Sequence, residues 1–340
     1  MSRSLVNRKS TLLLGKDRLS ISRAAKIIKK GGLIAFPTET VYGLGASAFN
    51  ADAIKSIYKA KGRPQDNPLI IHLSDQAQLD EVATDVPEAA YRLIEKFWPG
   101  PLSLVLSRAG NVPAVVSAGL STVAVRMPDH QAALDLIKAS AVPIAAPSAN
   151  RSGKPSPTSF RHVIEDLSGR IDAVIKSEDC IVGIESTVLD MTAIRPVILR
   201  PGGVSREEIE MTLGSSVLVA GLKISSGGPI SPGMKYRHYS PRAPLILITG
   251  PVKRRQHLIK AINAYYQGQG LKVGLLNSII TEELANNLSV EYLAAHLFQS
   301  LRRLDHQGVD LILAEETVTT GIGLAVMNRL RKAATRVLRV

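Results

Sequence analysis

A single cysteine among 340 residues, Cys180, excludes an internal disulfide. No Cys-x-x-Cys or His-Glu-x-x-His spacing occurs, so the pattern of a structural zinc site or a zinc hydrolase is missing and no protein-held metal is expected. A lone cysteine with no patterned histidine partner reads as a small buried apolar residue before it reads as a nucleophile. Long apolar runs are also lacking. Stretches such as Leu69–Leu73 and Leu245–Ile248 fall far short of the roughly 20 residues a membrane span requires. Leu12–Leu14, behind the basic stretch Met1–Lys9, is shorter than a secretory apolar region of about 7–15 residues, so a cytoplasmic protein without membrane association is expected. Low-complexity tracts are absent, and 45% apolar against 21% charged residues is the balance of a chain that buries a core. Acidic residues are the scarcer charge. Lys plus Arg exceed Asp plus Glu by 13, which gives a positive surface potential suited to nucleotides or RNA. The excess gathers at Arg3–Lys30 and at Arg329, Arg331, Lys332, Arg336 and Arg339, either as a binding patch or as solvated helix faces.

A chain of this length exceeds one comfortable core, since single cores stop growing near roughly 250–300 residues; two domains are expected. Ile21, Ala24, Ala25 and Ile28 recur at i, i+3, i+4 and i+7 before Gly31-Gly32, the pattern of an amphipathic helix with a stop. Strands are expected at 33–36, 69–73, 102–106, 122–126, 143–146 and around Ala173, Thr187 and Val197. Helices are expected at 51–60, 88–97, 131–140 and 158–167. This is an α/β architecture with a mixed sheet. Between 221 and 244 the periodicity gives way to Gly and Pro, which specify an extended linker. The linker also carries Lys235, Tyr236, Arg237, His238 and Tyr239, a set suited to touching a nucleotide, so it is read as folding over the site. Strand 245–249, helix 253–266, strand 273–276, helix 291–304, strand 311–314 and a closing helix 326–338 then follow. That order makes a small Rossmann-like parallel-sheet domain. The expected division is 1–220, a linker 221–244, and 245–340.

The polar segments cluster at strand ends, where α/β sheets bind ligands. Pro37-Thr38-Glu39-Thr40-Val41-Tyr42-Gly43-Leu44-Gly45 reads as a hydroxyl-rich turn segment after the first of these strands. Its Gly43-Leu44-Gly45-Ala46-Ser47-Ala48 nominally fits G-x-G-x-x-A, but Pro37–Tyr42 separate the glycines from the strand, against a nicotinamide-dinucleotide fingerprint. Lys59, Lys61 and Arg63 surround Gly62 at a helix end. They form either a triphosphate grip or a complement to the helix C-terminus. His72 lies inside an apolar run, and Arg126 ends a strand, placed to hold a carboxylate or to bridge to another loop. Pro147-Ser148-Ala149-Asn150 opens a long loop of small polar residues, and Glu185-Ser186-Thr187 and Arg200-Pro201-Gly202-Gly203 repeat the theme, which argues for one shared cleft. Gly228–Lys235 misses a P-loop, because Met234 separates Gly233 from Lys235, and no hydrolytic triad or paired carboxylates emerge from spacing.

In their order and spacing, Pro37–Gly45, Lys61-Gly62-Arg63-Pro64, Pro147–Asn150 and Glu185–Val188 resemble the YrdC family, the threonylcarbamoyl-AMP synthases. Arg200–Gly203, Ser231–Pro241 and Ala325–Leu330 look like its longer, two-domain form. Ser47 departs from the Asp that the family favours there, and Glu178-Asp179-Cys180 from its more glycine-rich approach to the Glu-Ser-Thr motif. The resemblance implies a YrdC-type twisted mixed sheet with flanking helices, plus the Rossmann-like C-terminal domain. It also implies synthesis of L-threonylcarbamoyladenylate from L-threonine, bicarbonate and ATP, with Mg2+ brought by ATP and pyrophosphate released, for modification of the adenosine next to the tRNA anticodon. By the same carry-over, Thr40, His72, Arg126, Ala146 and Ser186 contact threonine. Arg63, Asn67, Thr122, Ser148, Ser156, Arg200, His238 and Tyr239 hold ATP, and Lys61 and Arg63 act in catalysis on the triphosphate. Further partners are tRNA or downstream tRNA-modifying proteins. The competing readings are a non-catalytic RNA-binding protein and a nicotinamide oxidoreductase.

Overall fold

The computed structural model describes residues 10–220, 238–276 and 289–340. Most of the Gly/Pro linker, with Lys235, Tyr236 and Arg237, and the first residues of the basic N-terminus lie outside the described residues. No described helix is long and apolar enough to cross a membrane.

The larger sheet has twelve strands. Its path runs through β1 (Leu12–Leu14), β9 (Ala173–Ile175), β2 (Ile34–Phe36), β3 (Gly43–Ser47), β8 (Ile144–Ala146), β4 (Ile70–His72), β7 (Thr122–Arg126), β6 (Leu102–Arg108), β10 (Thr187–Asp190), β11 (Val197–Arg200) and β12 (Leu218–Val219), with β5 (Ala83–Thr84) paired to β6. It is mixed: β4/β7 and β6/β10 are parallel, whereas β2/β3, β3/β8, β4/β8 and β6/β7 are antiparallel. Successive side chains of a strand leave opposite faces, so the sheet carries two apolar surfaces and needs helices on both. On one face α1 (Arg18–Lys29) and α5 (Gln131–Ser140) cover Ile34, Phe36, Ile144 and Ala146. On the other, α2 (Ala51–Lys61), α4 (Glu88–Phe97), α6 (Phe160–Leu167) and α7 (Arg206–Leu213) cover Ala35, Leu44, Ala145 and Leu104, with short α3 (Leu79–Val82) at the edge.

Local signals explain the helices that frame the site. Asp17 caps α1 by accepting from Leu19 N and Ser20 N, and the buried residues of α1 are Ile21, Ala24, Ala25 and Ile28, the stripe seen in the sequence. Asn50 caps α2, which stops at Gly62 in the left-handed region (φ 63°) and so turns Arg63 away from the helix axis. The 37–47 segment is only half a loop: Gly43–Ser47 is a fully buried strand between β2 and β8. Glycine permits that, because a Cβ on Gly45 would stand 2.5 Å from Ile144 Cγ2 and 2.7 Å from Phe36 Cε1.

The second sheet is parallel throughout, in the order β14 (Val273–Leu275), β15 (Leu311–Glu315), β13 (Leu245–Thr249), β16 (Arg336–Arg339). Helices α8 (Val252–Gly268), α9 (Val290–Gln307) and α10 (Gly323–Ala333) accompany it. The expected closing helix 326–338 is thus corrected: α10 ends at Ala333, and Arg336–Arg339 becomes an edge strand. Thr335 makes the switch, its N–H donating to Leu245 O and its Oγ1 accepting from Leu245 N. The backbone groups that follow then pair with β13 instead of continuing the helix.

Candidate active site

The strand ends converge on one cavity. Its wall includes Thr38, Thr40, Val41, Tyr42 and Gly43 from the β2–β3 connection, Arg63 after α2, and Ile70 and His72 of β4. Arg126 ends β7, Ala146 ends β8, and Pro147, Ser148, Asn150 and Ser156 follow it. Glu185 and Ser186 precede β10, Arg200 ends β11, and His238 and Tyr239 lead into β13. All five residues expected to hold threonine, and six of those expected to hold ATP (Arg63, Ser148, Ser156, Arg200, His238 and Tyr239), are therefore brought together.

Three expected residues are not on the wall. Lys61 is 1% exposed, and its ammonium donates to the carbonyls of Ser148 and Asn150, so it braces the Ser148–Asn150 loop from behind. Burial, and next the charge of Arg63, push its pKa well below the usual lysine range. Asn67 is fully buried behind Arg63, with both side-chain amide atoms unpartnered. Thr122 opens β7 opposite Ser107, about 13 Å from Arg126 at 3.3 Å per residue.

On the Thr40 side, Arg126 Nη2 donates to Glu39 Oε2 at 2.7 Å and Nη1 to Thr40 Oγ1 at 3.1 Å. Both charged side chains are 3% exposed. Burial pushes the Glu39 carboxyl up, against the pull of Arg126. Arg126 Nε and Glu39 Oε1 have no partner. Thr38 shapes the turn: its Oγ1 donates to Val41 O at 2.6 Å and accepts from Thr40 N and Val41 N. His72 pairs in register with Arg126, its Nδ1 lies 3.1 Å from Ile70 O, and its ring meets Phe36 edge-on at 5.6 Å. Burial, then Arg126, lower it to about 3, so the imidazole is neutral at physiological pH.

On the other side, Arg63 donates to the carbonyls of Asn67 and Pro68, and burial lowers it to about 10, leaving it charged. Arg200 donates to Ser186 O at 2.9 Å and to Ser186 Oγ at 3.3 Å. Ser148 Oγ donates to Asn150 Oδ1, and Ser156 Oγ to Glu185 Oε1, both at 2.6 Å. Tyr239 takes φ 63°, a costly region for a non-glycine, and stacks on Phe298 of α9 at 5.2 Å. His238 Nε2 is buried without a partner, and burial, then Arg63, hold its ring down at about 3.

Three guanidinium groups and two imidazoles, with hydroxyls, thus face one hollow; the acid on its wall, Glu185, is tied to Arg329 at 2.9 Å, and Glu39, off the wall, to Arg126 at 2.7 Å. Buried polar groups left without partners are costly, and a ligand that satisfies them recovers that cost. The donor set suits an anion with carboxylate and phosphate oxygens. Among the described residues no group of three His, Cys, Asp or Glu side chains is placed to hold a metal ion. Cys180 is buried away from the wall, and burial raises its thiol far above the reactive range. Sequence reasoning missed Glu39, Glu185 and Arg329 as partners. Glu39 and Glu185 sit inside quoted motifs, but no local pattern pairs Glu185 with a residue 144 positions away.

Residues 26–202 match the Sua5/YciO/YrdC family model, described as telomere recombination, and residues 204–335 match that of the threonylcarbamoyl-AMP synthase C-terminal domain. The chain is 50% identical over 324 residues to a threonylcarbamoyl-AMP synthase of Pyrococcus abyssi, covering 94% of this chain and 95% of that protein. It is 49% identical over 327 residues to the Bacillus subtilis threonylcarbamoyl-AMP synthase, covering 92% of each. The crystal structure of P. abyssi Sua5 complexed with L-threonine superposes with a TM-score of 0.90 at 46% identity, covering 97% of this chain and 99% of that one.

Proposed function

The chain belongs to the threonylcarbamoyl-AMP synthases of the Sua5/YciO/YrdC family, and from that premise we propose that its cavity joins L-threonine, bicarbonate and ATP into L-threonylcarbamoyladenylate, releasing pyrophosphate. The product supplies the threonylcarbamoyl group for the adenosine next to the tRNA anticodon. The observation that carries this reading is the arrival of eleven expected contact residues, from segments spread between Thr40 and Tyr239, on one cavity wall.

Arg126, held flat by Glu39 and Thr40, takes the threonine carboxylate, with Thr40, Ser186 and neutral His72 around the small side chain and amine. Arg63 and Arg200 sit on the opposite side with Ser148 and Ser156, where the nucleotide phosphates need positive charge and hydroxyl contacts. The amine of threonine attacks the bicarbonate carbon and water leaves, giving a carbamate; a carbamate oxygen then attacks the α-phosphorus as the bond to pyrophosphate breaks. This chemistry needs no protein nucleophile. It needs two anions held in line and the developing phosphate charge neutralised, which fixed buried arginines do without reorganisation. Mg2+ enters as part of the substrate with the triphosphate, and the acid on the cavity wall, Glu185, is committed to Arg329. Lys61 contributes by holding the loop that presents Ser148.

Burial also separates this reading from non-catalytic RNA binding. Arg126 and Arg200 are 2% and 4% exposed, inside a hollow that a polymer backbone does not enter. Pyrophosphate release from ATP, measured with threonine and then bicarbonate left out, tests the proposal: each omission stops release. Release that persists without either one refutes it.

A further inference from the structure

Helix α10 packs behind the cavity wall with two cations, Arg329, which bonds to Glu185, and Lys332, whose charge acts on Glu185, Arg200 and His238. Arg329 is 1% exposed. Its Nε donates to Glu185 Oε2 at 2.9 Å, its Nη1 donates to the Pro201 carbonyl, next to Arg200, and its guanidinium lies 5.7 Å from the centre of the Tyr239 ring. The other oxygen of Glu185, Oε1, takes the hydroxyl hydrogen of Ser156 at 2.6 Å. Burial raises the Glu185 carboxyl, but Arg329, Arg200 and the Ser156 hydrogen bond outweigh it and bring the group down to about 2. An ionised carboxylate only accepts hydrogen bonds, so the direction of the Ser156–Glu185 contact is fixed. A serine hydroxyl has one hydrogen. With that hydrogen spent on Glu185, Ser156 has only a lone pair to offer the cavity it lines.

We propose that Arg329 is a positioning residue for nucleotide recognition: by holding Glu185 as an acceptor, it makes Ser156 an acceptor toward the cavity, matched to a hydrogen-bond donor on the nucleotide. That donor is a ribose hydroxyl or the exocyclic amine of the base. This rests on the reading that the cavity binds ATP. The second sheet thereby sets the polarity of a contact made by a loop of the first. Without Arg329, buried Glu185 takes up a proton more readily. A protonated Glu185 donates to Ser156 and frees the serine hydrogen to turn toward the ligand, the wrong polarity for the matched donor.

The test is calorimetric titration of the full-length chain with ATP and, separately, with threonine, for wild type, Arg329→Gln, Arg329→Lys, Ser156→Ala and the Ser156→Ala/Arg329→Gln pair. Arg329→Gln is expected to weaken ATP about tenfold, the worth of one hydrogen bond. Threonine affinity stays within about twofold. Arg329→Lys recovers part of the loss, and the double variant binds ATP no more weakly than Ser156→Ala. Titrating 2′-deoxy-ATP, 3′-deoxy-ATP and inosine triphosphate identifies the donor: the analogue lacking it loses about tenfold with wild type and little with Ser156→Ala. ATP binding unchanged in Arg329→Gln, losses that multiply in the double variant, or an equal loss of threonine overturns the proposal. Should Arg329→Gln not fold, Arg329→Lys and the analogue series decide: wild-type selectivity that survives intact in Ser156→Ala overturns it. A wild-type chain that binds no ATP overturns the underlying reading instead.

Discussion

Replacing Arg126 with Gln separates its part in the fold from its part in the chemistry. In the native chain Glu39 sits 3% exposed with Arg126 as its counter-charge at 2.7 Å. Removing one partner of a buried ion pair costs roughly 3–5 kcal/mol, because the other charge stays desolvated and unpaired. At roughly 2–4 °C per kcal/mol for a unit of about 200 residues, the melting temperature falls on the order of 10 °C at pH 8. The pH dependence follows from the direction of the Glu39 shift. Its folded pKa lies above the unfolded 4.5 even with Arg126 present, and losing the cation raises it further. A group with a raised folded pKa gives stability that is full below the unfolded pKa and is lost as pH rises through the folded one. Arg126→Gln is therefore closest to wild type near pH 5 and furthest from it at pH 8. Adding Glu39→Gln removes the stranded charge, so Glu39→Gln/Arg126→Gln regains most of the lost melting temperature. Activity does not return. The carboxylate grip of Arg126 is worth roughly 1.5–3 kcal/mol per charge-assisted bond, which predicts kcat/KM for threonine down about a hundredfold or more in both variants. Thermal denaturation at pH 5 and 8, with pyrophosphate-release kinetics, checks both halves. A double variant no more stable than the single at pH 8 refutes the energetics, and kcat/KM within tenfold of wild type refutes the assigned contact.

Arg63→Ala removes a half-buried cation that lines the cavity and donates to the Asn67 and Pro68 carbonyls. Its kcat/KM for ATP is expected to fall at least a hundredfold while circular dichroism keeps the native spectrum; turnover near wild type in the folded variant removes Arg63 from the triphosphate site. Lys61→Met leaves the Ser148 and Asn150 carbonyls without their shared donor and costs on the order of 2–6 kcal/mol at about 1–3 kcal/mol for each of the two groups. Denaturant unfolding reads that loss, and an unchanged midpoint contradicts the bracing role. His72 is lowered to about 3, below its unfolded 6.5, so its contribution to stability is present above pH 6.5 and lost as pH falls toward 3. Its ring resonances should not titrate between pH 5 and 8 by NMR, and a transition near 6.5 removes the burial argument.

Helices whose stripes repeat every three to four residues were legible in the sequence, as were the strand ends that bear the site. Ile21 to Ile28 and Glu88 to Phe97 form the helices their spacing implies, because local periodicity and burial agree there. Others were not: β1, α3, β5, α7 and β12 were not foreseen, and two further elements were misread. Gly43–Ser47 looks like a turn by composition and becomes a strand because β2 and β8 pack against it at distances only glycine allows. Arg336–Arg339 looks like the end of a helix and becomes a strand because β13 offers it an unpaired edge.

The site divides along the same line. Sequence alone determined which residue types stand at each strand end, and hence that arginines, hydroxyls and small residues meet an anionic ligand. Only the tertiary structure decided which of them face it. Lys61 turned behind a loop to satisfy two carbonyls, Thr122 lies at the far end of the strand from Arg126, and Arg329 came in from the second sheet to hold Glu185. The reason is physical. Local chemistry sets what a side chain can bind, but desolvation demands a partner for every buried charge, and those partners are supplied by segments that the chain order does not bring together.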